Sequence, residues 1–213
     1  MDRLKRPVGM CSFPCPWPSN PSGFLDNTNR PVERVAWADA TNYCATLTTR
    51  ERLAGRLPAG WTYRLPTEAQ WEYACRAGTT TPFHYGNELR SGMANFAGLY
   101  EYPPCGSDPN WCYNAGGTSL AQTTPVGSYT PNAWGLCDMH GNVWEWCQDW
   151  YGPYPGGDVT DPQGSPTGWY RLLRGGAWNV WAYHCRSAYG GYSPPEGRDT
   201  NIGFRVVLAP EQP

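Results

Sequence analysis

The sequence predicts an α+β fold with two helices, short antiparallel strands and little regular secondary structure. Three observations predict it. Only two stretches carry a helical apolar period with a start signal. The strand-prone stretches beyond residue 78 are short. Between them, 25 glycines and 22 prolines among 213 residues interrupt the chain repeatedly. With 12 Trp and 14 Tyr the chain has apolar area to offset its conformational entropy, so the turns belong to a packed domain and not to a disordered one.

The first helix is predicted over residues 38–47. Asp39 is placed to cap it, and Ala40, Tyr43, Cys44 and Leu47 recur at i, i+3, i+4 and i+7, an apolar stripe for a core. The second begins at Leu65-Pro66-Thr67-Glu68-Ala69-Gln70. Thr67 and Gln70 have the spacing of a capping box, Trp71, Ala74 and Cys75 share one face, and Gly78 follows Arg76 and Ala77 as the C′ residue. Residues 83–85, 124–129 and 203–208 favour strands. Residues 99–120, with Pro103, Pro104, Gly106, Gly116 and Gly117, read as a long surface loop, of the kind that is functional or inserted.

The length fits one domain over 1–213, with a Pro/Cys-rich leader at 1–19. Sixteen basic residues against 18 acidic ones, with no basic stripe, exclude nucleic acid and anionic membrane as partners. No apolar run is long enough to span a bilayer, so no membrane insertion is expected. Residues 1–30 lack the apolar core of a secretion signal, which points to the cytoplasm and to reduced, buried cysteines. The nine cysteines leave at least one thiol unpaired in a monomer. Cys11 and Cys15 are spaced for a metal or a disulfide, although unrelated thiols in a proline-rich loop are the preferred reading. His84, His140 and His184 do not cluster in sequence and read as satisfied or exposed side chains. Nucleophile elbows, P-loops and dinucleotide fingerprints are absent from the sequence.

The order of the remaining motifs resembles the formylglycine-generating-enzyme (sulfatase-modifying-factor) family. Arg64-Leu65-Pro66-Thr67-Glu68-Ala69-Gln70-Trp71-Glu72-Tyr73-Ala74 is similar to the family's helix motif. Thr124-Pro125-Val126-Gly127 and residues 132–139 resemble its central segment, and Gly141-Asn142-Val143-Trp144-Glu145-Trp146 is the most specific match. Leu173-Arg174-Gly175-Gly176-Ala177-Trp178-Asn179 and Asn201-Ile202-Gly203-Phe204-Arg205-Val206-Val207 resemble the closing segments. The resemblance implies a C-type-lectin-like core. It also implies that an N-terminal hairpin is missing or replaced by the leader, an exposed edge that a partner subunit could cover.

Catalytic members of the family oxidise a substrate cysteine to formylglycine, using two cysteines five residues apart after the Gly-Gly motif that bind copper(I) as soft ligands. Those positions correspond here to Val180 and Cys185. Aligned backward from Gly203-Phe204-Arg205, even Cys185 leaves the match. The resemblance therefore disfavours the oxidase, which stands as the alternative with Cys185 its candidate residue and copper its cofactor. A calcium site is implied as well, with ligands resembling Asp138, the carbonyls of Gly141 and Val143, and the Glu145 carboxylate. A second would use Asn95 and the Phe96 carbonyl, with its expected Asp falling near Thr118. The competing reading of Glu145 is a buried carboxylate paired with Arg174 or Arg205.

Residues 178–205 resemble the variable region of diversity-generating-retroelement proteins, several of which use this scaffold. In those proteins an invariant frame, like Cys185-Arg186-Ser187-Ala188 and Asn201–Arg205 here, separates positions diversified from AAC codons, which yield codons ending in C. Val180, Tyr183, His184, Tyr189, Gly190, Gly191, Tyr192, Ser193, Gly197, Asp199 and Thr200 are all encodable in that way, whereas Trp181 is not and reads as fixed. Rigid aromatics and small polar residues are what adaptable binding surfaces favour. The sequence thus points to a ligand-binding protein displaying a variable surface toward an unidentified protein or surface ligand, with oligomerisation open and a structural module of a larger assembly as a third reading. Val180, Tyr183, His184, Tyr189, Tyr192, Ser193, Asp199 and Thr200 are expected together on one exposed face, over a buried frame that includes Arg186 and Ala188.

Overall fold

The structure, a computed structural model, describes residues 20–103 and 112–211. The leader with Cys11 and Cys15, and Cys105, lie outside the described residues.

Helix α1 spans Trp37–Leu53, longer at both ends than the sequence predicts. Asp39 is not its cap: Ala36 holds that position, and Asp39 at the third helical residue reaches back so that its Oδ2 accepts the Ala36 amide at 2.8 Å. The buried stripe is Ala40, Cys44 and Thr48, with Tyr43 and Leu47 half-buried. Thr48 is buried because it does two jobs. Its hydroxyl donates to the Cys44 carbonyl at 2.9 Å and accepts the Tyr63 amide at 2.8 Å, tying the helix to strand β1, Trp61–Arg64. Helix α2, Glu68–Arg76, starts as its sequence predicts: Thr67 Oγ1 accepts the Gln70 amide and Gln70 Oε1 accepts the Thr67 amide. Trp71 and Cys75 face the core, and the helix stops on two left-handed residues, Ala77 (φ 45°) and Gly78 (φ 93°).

The strands are short. β1 pairs antiparallel with β8, Val207–Pro210. The stretch read as loop holds a small antiparallel pair, β2 (Tyr100–Glu101) with β3 (Cys112–Tyr113). The main sheet has the order β6-β5-β4-β7, from Gly190–Ser193, Arg171–Arg174, Trp144–Trp150 and Ile202–Gly203. Its β4–β7 pair is parallel, which departs from the all-antiparallel expectation. Two predicted strands do not form, and the third, 203–208, is broken: Gly203 ends β7 and Val207 opens β8, with residues 204–206 between them outside any strand. Residues 83–85 contribute only a bridge between Phe83 and Gly86. Residues 124–129 form a turn, because Pro125 has no amide to give a ladder, Gly127 takes φ 78°, and the Gly127 amide is spent on the Asp138 carboxylate.

The principal core packs Val35, Ala40, Leu65, Trp146 and Phe204 around the sheet. At its centre Glu145, on β4, is 6% exposed and accepts Arg205 Nε at 2.5 Å, Arg205 Nη2 at 2.6 Å and Trp71 Nε1 at 2.6 Å. Of the two arginines open to it from sequence, the fold chooses Arg205. Arg174, its register partner on β5, turns instead to Glu68 and Glu72. Glycine is required at 141, where φ is 88° and a Cβ would lie 2.2 Å from the Asn95 carbonyl oxygen.

Glu145→Gln leaves the buried guanidinium without its counter-charge, and a loss of about 3–5 kcal/mol is expected in urea denaturation. Adding Arg205→Met, which removes the orphaned charge, is expected to restore most of that loss. A Glu145→Gln protein within about 1 kcal/mol of the parent would show that the pair does not hold the core.

Candidate functional site

The segment from Trp178 to Thr200 leaves the sheet through Gly175 (φ 96°) and Gly176 (φ 76°), crosses the surface, rejoins the sheet at one edge as β6 and then runs to the opposite edge at β7. A 3-10 turn, Ala182–Cys185, lies in it. Its buried residues are Ala182, Cys185 and Ser187. Arg186 and Ala188 do not belong to the buried frame as expected: Ala188 is exposed and Arg186 half-buried, because the turn points every second or third residue inward rather than alternating as a strand would.

Main-chain hydrogen bonds hold this frame. The Ser187 amide donates to the Pro82 carbonyl at 2.7 Å, and the Val180 carbonyl accepts the Ala97 amide at 2.8 Å. His140 holds the end of the turn. Its Nε2 accepts the His84 amide at 3.0 Å, so the proton is assigned to Nδ1, which donates to the Cys185 carbonyl at 2.7 Å. Burial pushes the imidazole down to about 3, so it stays neutral. His84 and His140, unclustered in sequence, stack at 4.8 Å.

Above the frame the side chains form three sets of ring contacts. Trp181 stacks on Tyr100 at 4.8 Å, and Tyr100 lies 6.0 Å from Tyr113. His184 and Tyr183 present their edges to Tyr189 at 4.9 and 5.5 Å, and the Arg186 guanidinium lies 3.9 Å over Tyr183. Burial, and then the Tyr183 phenol beside it, raises the Tyr189 hydroxyl, which therefore remains a donor at neutral pH. Tyr192, on β6, meets Tyr151 at 4.5 Å and Tyr170 at 5.2 Å. Ser193 and Gly197 are half-buried, and a Cβ at Gly197 would lie 2.4 Å from Ser193 Oγ. A Cβ at Gly191 would press on the Trp144 ring at 3.2 Å.

The eleven residues from Val180 to Thr200 singled out from sequence are all half-buried or exposed, but they are not all brought into one cluster. Val180 packs under the surface, against both adjoining core clusters. Asp199 and Thr200 precede β7, at the sheet edge opposite β6, where Trp178 Nε1 donates to the Thr200 carbonyl at 3.1 Å. Tyr100, Tyr113, Tyr151 and Tyr170 complete the ring surface and were missed from sequence, since each lies in a separate segment with no spacing that relates it to 181–192.

The residues expected to hold metal are differently placed. Both Glu145 oxygens are engaged by Arg205, so this carboxylate does not fit a cation ligand. Asp138 Oδ2 accepts the Gly127 amide at 2.7 Å, while its Oδ1 is buried and makes no hydrogen bond. Gly141 donates its amide to the Gly175 carbonyl, and Val143 is buried at the start of β4. Asn95 Oδ1 is likewise buried and unbonded, beside a cavity of about 480 Å³ that Thr118 and Glu101 also line. Among the described residues no three His, Cys, Asp or Glu side chains group as a metal site. Cys185 is fully buried, burial raises its thiol, and its Sγ faces the Trp181 carbonyl at 3.8 Å. A thiol so placed is a poor source of thiolate.

A sulfatase-modifying factor enzyme 1-like domain matches residues 14–210. The formylglycine-generating enzyme of Streptomyces coelicolor is 38% identical over 192 residues, covering 87% of this chain and 55% of that enzyme. The enzyme of the same name from Mus musculus is 34% identical over 191 residues, covering 87% of this chain and 46% of its own length. The chain thus spans about half the length of these relatives. Among solved structures, Treponema denticola variable protein 1 superposes with a TM-score of 0.70 at 25% identity, covering 90% of this chain and 78% of that one. The fold is of this C-type-lectin-like, formylglycine-generating-enzyme type.

Proposed function

This chain belongs to the sulfatase-modifying factor enzyme family, and we propose that within it the chain is a ligand-binding protein whose variable surface is carried by residues 178–205. The observation that carries the reading is the separation of roles in that segment. Buried residues and main-chain hydrogen bonds hold the frame, while Tyr183, His184, Tyr189 and Tyr192 stand half-exposed or exposed above it. Such a surface can change its side chains without losing the fold, and tyrosine gives it rigid, amphipathic contact area at low entropic cost. Likeness to a variable protein of the same fold supports the reading. The partner is a protein or other surface ligand.

The alternative, copper-dependent oxidation of a cysteine to formylglycine, is supported by the sequence relatives. It is opposed by Val180 at the first thiolate position and by a buried, protonated Cys185 at the second. Deep sequencing of the locus in a growing population separates the two. Substitutions confined to codons such as 183, 184, 189 and 192, with a nearby reverse transcriptase and an adenine-bearing near-copy of codons 178–205, are expected. An invariant locus without that copy would overturn the variable-surface reading. In parallel, no formylglycine is expected on a Cys-x-Pro-x-Arg peptide with copper and reductant; turnover lost in Cys185→Ser would move the assignment to the oxidase.

Calcium, which the resemblance implies, is proposed at Asp138 rather than at Glu145, because Asp138 Oδ1, unlike either Glu145 oxygen, has no hydrogen-bond partner. Added calcium is expected to raise the melting temperature, and excess chelator to lower it, by mass action on the native state. Asp138→Asn is expected to remove the difference between the two melting curves. Identical curves for the parent protein would exclude a stabilising ion.

A further inference from the structure

We infer that Tyr151, Tyr170 and Tyr192 form a cation-accepting platform, which takes an arginine or lysine side chain of a protein partner. The inference extends the ligand-surface reading above by naming what one part of that surface binds. Two of its three rings lie outside residues 178–205.

The platform follows from the sheet. Tyr151 directly follows β4, Tyr170 directly precedes β5, and the Tyr151 amide donates to the Tyr170 carbonyl at 2.8 Å. Tyr192 on β6 faces Leu172 across the β5–β6 ladder, which puts it diagonal to Tyr170, two residues away on the same face of β5. Three adjacent strands therefore bring one tyrosine each to the same place. The Tyr192 ring lies 4.5 Å from Tyr151 at an interplanar angle of 35°, and 5.2 Å from Tyr170 at 56°. They remain 48%, 40% and 53% exposed for Tyr151, Tyr170 and Tyr192. Three touching rings that keep about half their surface in water are more than the scattered single hydrophobics of an ordinary surface.

Charge selects the occupant. Aromatic faces carry a negative quadrupole and attract ammonium and guanidinium groups. From residue 91 to residue 170 the sequence has no lysine or arginine, and the segment joining Tyr151 to Tyr170 carries exposed Asp158 and Asp161. The cations nearest along the chain are already engaged. Arg171 alternates to the other face, between the Trp37 and Trp150 rings at 3.8 and 3.5 Å, and Arg186 lies over Tyr183. Arg174 lies over the Trp71 ring at 5.4 Å, so among the described residues the chain sets three of its own guanidinium groups against aromatic rings and none against the three-tyrosine platform.

The test uses the full chain with a fluorescent oligoarginine peptide and its oligocitrulline counterpart, which has a closely similar shape without the charge. Anisotropy titration at physiological salt is expected to show binding of oligoarginine and about tenfold weaker binding of oligocitrulline. Tyr151→Leu/Tyr170→Leu is expected to weaken oligoarginine about tenfold, whereas Tyr151→Phe/Tyr170→Phe, which keeps the rings, stays within about twofold of the parent. Equal affinity of the Leu and parent proteins would overturn the inference, leaving only general attraction to an acidic chain. No binding of oligoarginine by the parent overturns it too. A melting temperature shared by the Leu and Phe proteins guards against a folding effect. If the platform fails while codons 178–205 prove variable, the ligand-surface reading stands without it. If the platform binds and the codons are invariant, it is that reading which fails.

Discussion

Three parts of the chain meet on one buried carboxylate. Glu145 sits in the middle of the main sheet, and it is reached by Trp71 from α2 and by Arg205 from the link between β7 and β8. A charge at this depth is costly unless it is paired and hydrogen-bonded, so helix, sheet and closing strand must assemble together. Arg205 also donates to the Cys137 carbonyl at 3.2 Å, which fixes the start of the turn that runs back to Glu145. His140 lies within that turn, and its ring holds the Cys185 carbonyl. The segment that carries the candidate surface is therefore anchored, through one turn and one imidazole, to the ion pair in the core.

That anchoring explains how a fold with strands of two to seven residues can present an ordered surface. A second set of charges lies beneath it. Arg174 is fully buried between Glu68 and Glu72, and Glu68 in turn accepts the Tyr154 hydroxyl at 2.9 Å. The rings above take little part in these networks. Their contacts are mainly with each other, and the hydrogen bonds that hold their segment come chiefly from the main chain and from His140, with Trp178 and Arg186 donating to carbonyls within it. Changes of side chain at Tyr183 or Tyr192 therefore disturb the surface far more than the frame.

Much was legible locally. The capping box of Thr67 and Gln70 and the inward face of Trp71 and Cys75 follow from contacts three or four residues apart, which a sequence displays directly. The start of α1 was misplaced because a carboxylate at Asp39 can serve a helix from the cap or from three residues inside it, and both look alike in sequence. The strands were harder. At two residues each, β2, β3 and β7 are too short for any alternation to register, and the parallel β4–β7 pair depends on a connection more than 50 residues long.

By itself the sequence determined the family, the two helices, and the identity of the aromatic and small polar residues crowded into 178–205, because each of these is written in neighbouring positions. Only the tertiary structure decided that Glu145 answers Arg205 and not Arg174, that Ala182, Cys185 and Ser187 rather than Arg186 and Ala188 form the buried frame, and that Tyr100, Tyr113, Tyr151 and Tyr170 join the surface. The reason is the same in each case. Burial, charge pairing and ring contact are relations between residues tens of positions apart, and they acquire a geometry only when the strand order and the turns between the strands are set.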